Sequence, residues 1–331
     1  MDRVAVTEAS QVAEARRKAV AIALANGFDE TSAGRVAIVA TELATNIVKY
    51  GTPGEILIGT YDDATGIGVE ILALDRGPGL SDLGSALRDG HSTGGSAGSG
   101  LGAVRRLSGT FDIASRLELG TAVLARLSGA RSTKAPIEAT FGAVSVPLRG
   151  ETANGDALAV RERADGWTVI VCDGLGHGPE AAKASDEAIG LFRRHWDEPP
   201  AAILSVIHAG LGHTRGGAVS VARYARGTGN LVFSGIGNVG GAVLSGGSAK
   251  RTVSLAGTAG HAARRIQEFE YPMRPEDLFV LCSDGIGTGW SLDDHPGIAG
   301  AHPTLVAGVI YRDFARARDD ATVLVVRGDA A

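Results

Sequence analysis

Apolar residues recur along this chain in two rhythms, and the switches between them divide it. Residues 10–25 read as a helix with Ser10 as its N-cap and Gly27 as its stop. A second helix is expected over residues 30–50, ending at Gly51. Val36, Val39, Leu43 and Ile47 fall on one side of it and should face the core. At about 100° per residue, Glu42, Asn46 and Lys49 form a separate polar stripe, roughly 110° from that line. Two strands follow at residues 55–61 and 68–74, around the turn-forming Asp62-Asp63-Ala64-Thr65-Gly66. The second strand runs into Asp75-Arg76-Gly77-Pro78-Gly79. A glycine-rich stretch, Ser92-Thr93-Gly94-Gly95-Ser96-Ala97-Gly98-Ser99-Gly100-Leu101-Gly102, then leads to a short helix at 103–107. A hairpin of residues 111–117 and 121–127 turns at Leu119-Gly120.

The polar, proline-terminated stretch Ser128-Gly129-Ala130-Arg131-Ser132-Thr133-Lys134-Ala135-Pro136 reads as a linker of modest reach. The boundaries expected are a first domain at 1–128, a linker at 129–137 and a second domain at 138–331. In the second, strands are expected at 140–147, 156–163 and 167–172, and helices at 179–196 and 200–211. Strands then recur at 218–224, 229–234 and 240–244, with short ones leading to 278–282. A helix at 304–316 precedes the last strand, 322–326. Runs of strands interrupted by paired helices indicate a layered α+β sandwich, not a doubly wound parallel sheet.

Composition narrows the partners. A chain of 331 residues is long enough for about two domains. With 44% hydrophobic and 21% charged residues it is ordinary for a soluble protein. The net charge of -5 offers no basic field, which argues against nucleic acid and anionic membrane as partners. No apolar run approaches the ~18 residues of a membrane span, and residues 1–6 lack the layout of a signal peptide. Cys172 and Cys282 each lie in an apolar strand and read as reduced core residues, which suits the cytoplasm.

Candidate chemistry collects where apolar strands end in acids. Val169-Ile170-Val171-Cys172 runs into Asp173-Gly174, Phe279-Val280-Leu281-Cys282 into Ser283-Asp284-Gly285, and Asp319-Asp320 stands just before the apolar run 323–326. Carboxylates gathered at one sheet edge cannot all stay ionised unless cations bind between them. Hard divalent ions with oxygen ligands suit that need.

In the first half, a helix carrying Glu42-Leu43-Ala44-Thr45-Asn46-Ile47, a strand ending in Asp-x-Gly-x-Gly and a glycine-rich lid follow in that order, with Asp89-Gly90-His91-Ser92-Thr93 before the lid. Over nearly all of residues 1–128 this resembles the GHKL (Bergerat-fold) ATPases, and within them the RsbT-type anti-sigma-factor serine kinases of bacterial partner switching. The resemblance implies an α/β sandwich that binds ATP with Mg2+. It gives Asn46 to the magnesium ion, and makes Glu42 the general base or the group that orients the attacking hydroxyl. Asp75 would accept the adenine amino group, Gly77 and Gly79 would admit the base and ribose, and Gly95, Gly98 and Gly100 would line the lid over the phosphates. Phosphoryl transfer mainly needs such positioning and charge neutralisation. Ser96-Ala97 departs from the kinase pattern, and no Walker-type Gly-Lys-Ser/Thr occurs.

In the second half, Gly155-Asp156, Asp173-Gly174, Asp284-Gly285 and Asp319-Asp320 appear in order, with Arg215-Gly216-Gly217-Ala218 and Gly237-Asn238-Val239 between them. Over about residues 138–328 this resembles the PPM-type serine/threonine phosphatases, in their SpoIIE and RsbX branch. The implied fold is an αββα sandwich of two antiparallel sheets. Asp173 would bridge two Mn2+ or Mg2+ ions, the Gly174 carbonyl would add a ligand, and Asp156, Asp284 and Asp319 would complete the shells. Water would attack phosphorus in line, without a covalent intermediate. Asp320 would hold its loop. His177 is a candidate acid for the leaving alkoxide, and Arg215 a candidate phosphate grip or loop brace. His208 and His213 read as surface residues, and Trp167, Trp196 and Trp290 as core or edge aromatics.

Together the two resemblances imply a bifunctional partner-switching regulator. A kinase half would phosphorylate, and a phosphatase half would dephosphorylate, a serine or threonine of a STAS-type antagonist or stressosome protein. The output would be a sigma-factor or stress response. A sigma-factor regulator or downstream phosphatase is a further partner of this reading, and the kinase family acts as dimers or partner-bound. The alternative is a phosphatase whose first domain binds ATP or a partner, as a sensor or anti-sigma module, without phosphoryl transfer.

Overall fold

The computed structural model describes residues 1–63, 66–87, 100–129 and 140–328. Two compact units emerge: Met1–Ile137 with Gly300–Arg312, and Glu138–Ala299 with Asp313–Ala331.

The first unit is a five-stranded antiparallel sheet with helices against it. Its elements are β1 (Asp2–Val6), α1 (Ser10–Ala25), α2 (Glu30–Asn46), β2 (Gly54–Asp63), β3 (Gly66–Asp75), a single turn α3 (Leu83–Ala86), α4 (Gly100–Leu107), β4 (Thr110–Arg116) and β5 (Gly120–Ser128). The strand order is β1-β2-β3-β5-β4. Ser10 opens α1 and does not cap it. Ala9 stands at the cap position with no side-chain bond, and the Gln11 side chain instead accepts the N–H groups of Thr7 and Glu8. A true cap occurs at α2, where Asp29 accepts the Ser32 N–H at 2.7 Å. Val36, Val39, Leu43 and Ile47 are all buried, as the helical period requires, against Ile56, Ile58, Val69 and Ile71 of the sheet. The expected helix to residue 50 is α2 followed by a wider π turn, Ile47–Gly51.

Strand β3 is buried almost throughout, at both faces, where alternation alone predicts one. The reason lies far along the chain. Leu57, Leu72 and Leu124, on the face away from α1 and α2, are fully buried, and a side chain at Gly308 would stand 2.5 Å from Leu72. Gly308 belongs to α7 (Pro303–Phe314), whose residues through Arg312 are all buried and which packs with this unit up to Arg312. The middle of the helix, from Leu305 to Ile310, is apolar because it sits inside a core.

The second unit is a sandwich of two five-stranded antiparallel sheets. Its elements are β6 (Phe141–Val146), β7 (Asp156–Arg163), β8 (Gly166–Gly174), α5 (Pro179–His195), α6 (Pro200–Gly210), β9 (Gly217–Ala225), β10 (Asn230–Ile236), β11 (Gly240–Ser245), β12 (Ser248–Arg251), β13 (Gly257–Thr258), β14 (Ala262–Ala263), β15 (Phe269–Pro272), β16 (Leu278–Cys282) and β17 (Ala321–Arg327). One sheet runs β15-β10-β9-β8-β7 and the other β12-β11-β16-β17-β6. Trp167, Tyr224, Phe233, Phe279 and Leu324 fill the space between them, and the buried Trp167 indole N–H donates to the Arg327 carbonyl at 2.7 Å. On the outer face of the first sheet, Ile170, Cys172, Val219 and Val221 meet Phe192, Ile203 and Ile207 of α5 and α6. Burial on both faces accounts for the apolar run of β8. Cys172 and Cys282 are free and buried, as expected of core residues. Among the described residues no helix is long and apolar enough to cross a membrane.

Candidate functional site

In the first unit the polar stripe of α2 meets the start of α4. A side chain built at Gly100 would stand 3.1 Å from a Glu42 carboxylate oxygen and 3.5 Å from the Asn46 side-chain oxygen. Glu42, Asn46 and Gly100 therefore share one place, at the N-terminus of α4, the end of a helix that favours anions. Gly95 and Gly98 lie outside the described residues.

Asp75 closes β3 in a cradle of close backbones. Its Oδ1 accepts the Gly77 N–H at 2.8 Å and the Thr121 N–H at 3.1 Å. Burial nevertheless pushes its carboxyl above the usual range, against those two bonds and the Arg312 charge. A side chain at Gly77 would stand 2.5 Å from the Tyr50 carbonyl, and one at Gly79, where φ is +73°, 2.1 Å from the Arg116 carbonyl. Only glycine permits that approach. Thr121 was invisible as a site residue in sequence, since it donates a backbone group from the far strand of a hairpin.

In the second unit, β7 and β8 pair with Asp156 directly opposite Asp173. β16 and β17 pair with Cys282 opposite Val323, which brings Asp284 to the same edge. Asp156 is buried, and the Ser283 hydroxyl donates to its Oδ2 at 2.7 Å. The same hydroxyl accepts the Thr322 N–H at 2.9 Å. The Asp284 backbone and carboxyl lie close enough to Asp173 for each to shift the other's titration. Asn238 holds Asp284 Oδ2 at 2.6 Å. Ser283 and Asn238 are functional positions to which sequence reasoning gave no role, although both stand inside the motifs it quoted.

Burial first, then the neighbouring carboxylates Asp156, Asp284 and Asp319, pushes Asp173 up to about 8. Burial first, offset by Ser283 and Thr322, then Asp320 and Asp319, takes Asp156 to about 7. Asp284 is raised by burial and by Asp319. Among the described residues no three His, Cys, Asp or Glu side chains form a ready metal-holding group. The carboxylates Asp156, Asp284 and Asp319 nevertheless all act on Asp173. Their donor set still fits divalent cations: hard oxygens at one sheet edge, carrying charge that only a proton or a cation neutralises. Asp320 is near Asp156 but is held by backbone donors. Its two oxygens accept the Leu148 N–H at 2.7 Å and the Gly155 N–H at 2.9 Å, which is the loop-holding place given to it in sequence.

Gly174 belongs to the edge by its backbone. Its N–H donates to the Gly155 carbonyl at 3.0 Å, and a side chain there would stand 2.2 Å from the Ala181 carbonyl. His177 is exposed and lies 2.9 Å from Glu151. Arg215 lies beside Gly176, 3.6 Å from where its side chain would begin. His208 is half-buried, and its Nδ1 accepts the Gly260 N–H at 3.1 Å, so it braces a loop where a surface residue was expected.

Residues 163–329, just over half of the chain, match the family of stage II sporulation protein E (SpoIIE). The chain belongs to that family. Residues 5–127 match the histidine kinase-like ATPase domain. Over 99 residues the chain is 37% identical to the serine/threonine-protein kinase RsbT of Bacillus subtilis (strain 168), covering 30% of this chain and 74% of that protein. A chain solved in work on the bacterial stressosome is 28% identical, with a TM-score of 0.53, over 57% of this chain and 98% of that one. The PP2C phosphatase domain with a regulatory fragment of SpoIIE from Bacillus subtilis is 15% identical, with a TM-score of 0.47, over 97% of this chain and 96% of that one. This SpoIIE-family chain thus joins a kinase-type ATPase domain of the RsbT kind to a serine/threonine phosphatase domain of the PPM (PP2C) type. Those are the parts of a partner-switching regulator.

Proposed function

We propose that both domains act. The first would be an ATP-dependent serine/threonine kinase, the second a metal-dependent phosphoserine and phosphothreonine phosphatase, and both would work on a STAS-type antagonist or stressosome protein in the cytoplasm. The observation that carries the phosphatase half is the register that sets Asp156 against Asp173, with Asp284 beside them.

In this reading Asp173, Asp156, Asp284, Asp319 and the Gly174 carbonyl would hold two Mn2+ or Mg2+ ions. When bound, such ions would supply an activated water and neutralise the phosphoryl oxygens. The chain's own residues do the positioning. Ser283 orients Asp156, Asn238 orients Asp284, and Asp320 fixes the loop from which Asp319 projects. Asp173 gives up its proton as the site is loaded. In the kinase half, Asn46 would hold Mg2+ beside the ATP phosphates, and Glu42 would orient or deprotonate the attacking hydroxyl. Asp75 would take the adenine amino group between Gly77 and Gly79.

The test is direct. The Asp173→Asn chain, with ATP, Mg2+ and a purified STAS protein, should give a phosphoprotein, and wild type with Mn2+ should remove the label. Glu42→Ala should leave the STAS protein unlabelled. ATP binding without any label in the Asp173→Asn mixture would sink the kinase half and leave an ATP-binding module fused to a phosphatase.

A further inference from the structure

Helix α7 touches the nucleotide cradle through a buried charge. The Arg312 guanidinium donates to the Asp75 carbonyl at 3.3 Å, and the Arg76 side chain donates to the Arg312 carbonyl. Arg312 is only 6% exposed. At the other end of the helix, Thr304 donates to Glu70 Oε2 at 3.1 Å and accepts from Arg126 at 3.1 Å. Glu70 and Arg126 themselves pair at 2.6 Å, and the His302 N–H donates to Asp112 at 2.6 Å.

If α7 did no more than cover the sheet, an apolar residue at 312 would serve. A buried guanidinium costs desolvation that its contacts must offset. One of those contacts is the backbone of the turn that carries Asp75.

The chain leaves α7 directly for the metal edge. In the second unit the Phe314 carbonyl accepts the Gly287 N–H at 2.9 Å, and the Arg316 N–H donates to the Gly285 carbonyl at 2.7 Å. The Arg316 side chain donates to the Asp284 carbonyl at 3.2 Å. Asp319 follows at once. One continuous run of backbone thus begins at the Asp75 turn, grips the Asp284-Gly285 loop and ends at Asp319.

We propose that Arg312 is a positioning residue of the nucleotide site, and that α7 couples nucleotide occupancy to the Asp284 and Asp319 loops, so that an adenine nucleotide and Mn2+ bind this chain with positive cooperativity. The proposal rests on the assignment of Asp75 to the nucleotide and of Asp284 and Asp319 to metal. Coupling of this kind is reciprocal and typically amounts to about 5- to 150-fold in affinity.

The experiment is Mn2+ binding to the full chain, read by electron paramagnetic resonance of free Mn2+, with and without a non-hydrolysable ATP analogue at saturating Mg2+. The Asp173→Asn chain supplies the background for metal carried by the nucleotide. Wild type should bind Mn2+ at least about fivefold more tightly with the analogue present. Arg312→Ala should bind the analogue more weakly and lose the Mn2+ shift, and Arg312→Lys should recover part of both. A wild type that binds the analogue and binds Mn2+, but shows less than a twofold shift, overturns the inference while the functional reading stands. A wild type that binds neither overturns both together. The wild-type comparison decides the matter even where Arg312→Ala fails to fold.

Discussion

The Ser283 hydroxyl donates to Asp156 Oδ2 at 2.7 Å, and that bond joins the two sheets of the second unit at their chemical edge. Ser283 follows β16 in one sheet, and Asp156 opens β7 in the other. Ser283→Ala removes a bond to a buried carboxylate. Partners that orient a metal ligand are typically worth about 10- to 100-fold in metal affinity. We expect the Mn2+ concentration for half-maximal p-nitrophenyl phosphate hydrolysis to rise by that order, with the turnover at saturation less affected. An unchanged metal curve would remove Ser283 from the site.

Acid titration should run against the usual carboxylate pattern. Asp156 and Asp173 keep their protons to about 7 and about 8 when folded, against 3.8 when free. Between these values the folded chain binds more protons than the unfolded one, so stability falls as pH rises through the window. With a chelator present, the thermal midpoint should decline from about pH 5 to about pH 8. Asp173→Asn should flatten the decline. Mn2+ at about one hundred times its dissociation constant should restore about 2.7 kcal/mol, or roughly 5–10 °C in a unit of this size, most visibly at the alkaline end.

Asp319 and Asp320 stand side by side and should behave differently. Asp320 accepts two backbone N–H groups, and Asp320→Ala leaves both without it. Each costs about 1–3 kcal/mol when orphaned. Urea unfolding should therefore show a loss of roughly 2–6 kcal/mol for Asp320→Ala. Asp319→Asn should keep its stability and lose metal. Equal unfolding midpoints for the two variants would contradict this division.

The nucleotide cradle makes its own prediction. Gly77→Ala would bring a methyl to 2.5 Å from the Tyr50 carbonyl and 3.1 Å from Asp75 Oδ1. Titration with a fluorescent ATP analogue should show affinity reduced at least about tenfold, a cost of about 1.4 kcal/mol. Gly34→Ala, whose side chain meets nothing within 4 Å, should leave it unchanged.

Much of this was legible because its signals are local. Helical period set the buried line of α2, and Asp-Gly at the ends of apolar strands marked the edge where the carboxylates gather. What escaped depends on distant partners. Thr121 acts through a backbone N–H that any residue could offer. Ser283 and Asn238 are ordinary polar residues until the second sheet sets a carboxylate beside each. The burial of β3 on both faces follows from α7, whose apolar composition reads as a core helix without saying whose core. Asp320 was readable only as a candidate to hold its loop, because the acid next to it already matched the ligand of the motif.

The placement of α7 also bears on how the protein is made. Leu57, Leu72 and Leu124 form a sheet face that is ready once β5 has been synthesised, yet its cover arrives with residues 303–312. At about 5–20 residues per second, some 180 residues of synthesis leave that face bare for roughly 10–40 seconds. A ribosome-bound chain must therefore keep it from other chains until α7 emerges. A fragment that stops after β5 would carry the same bare face permanently, and should aggregate where the full chain does not.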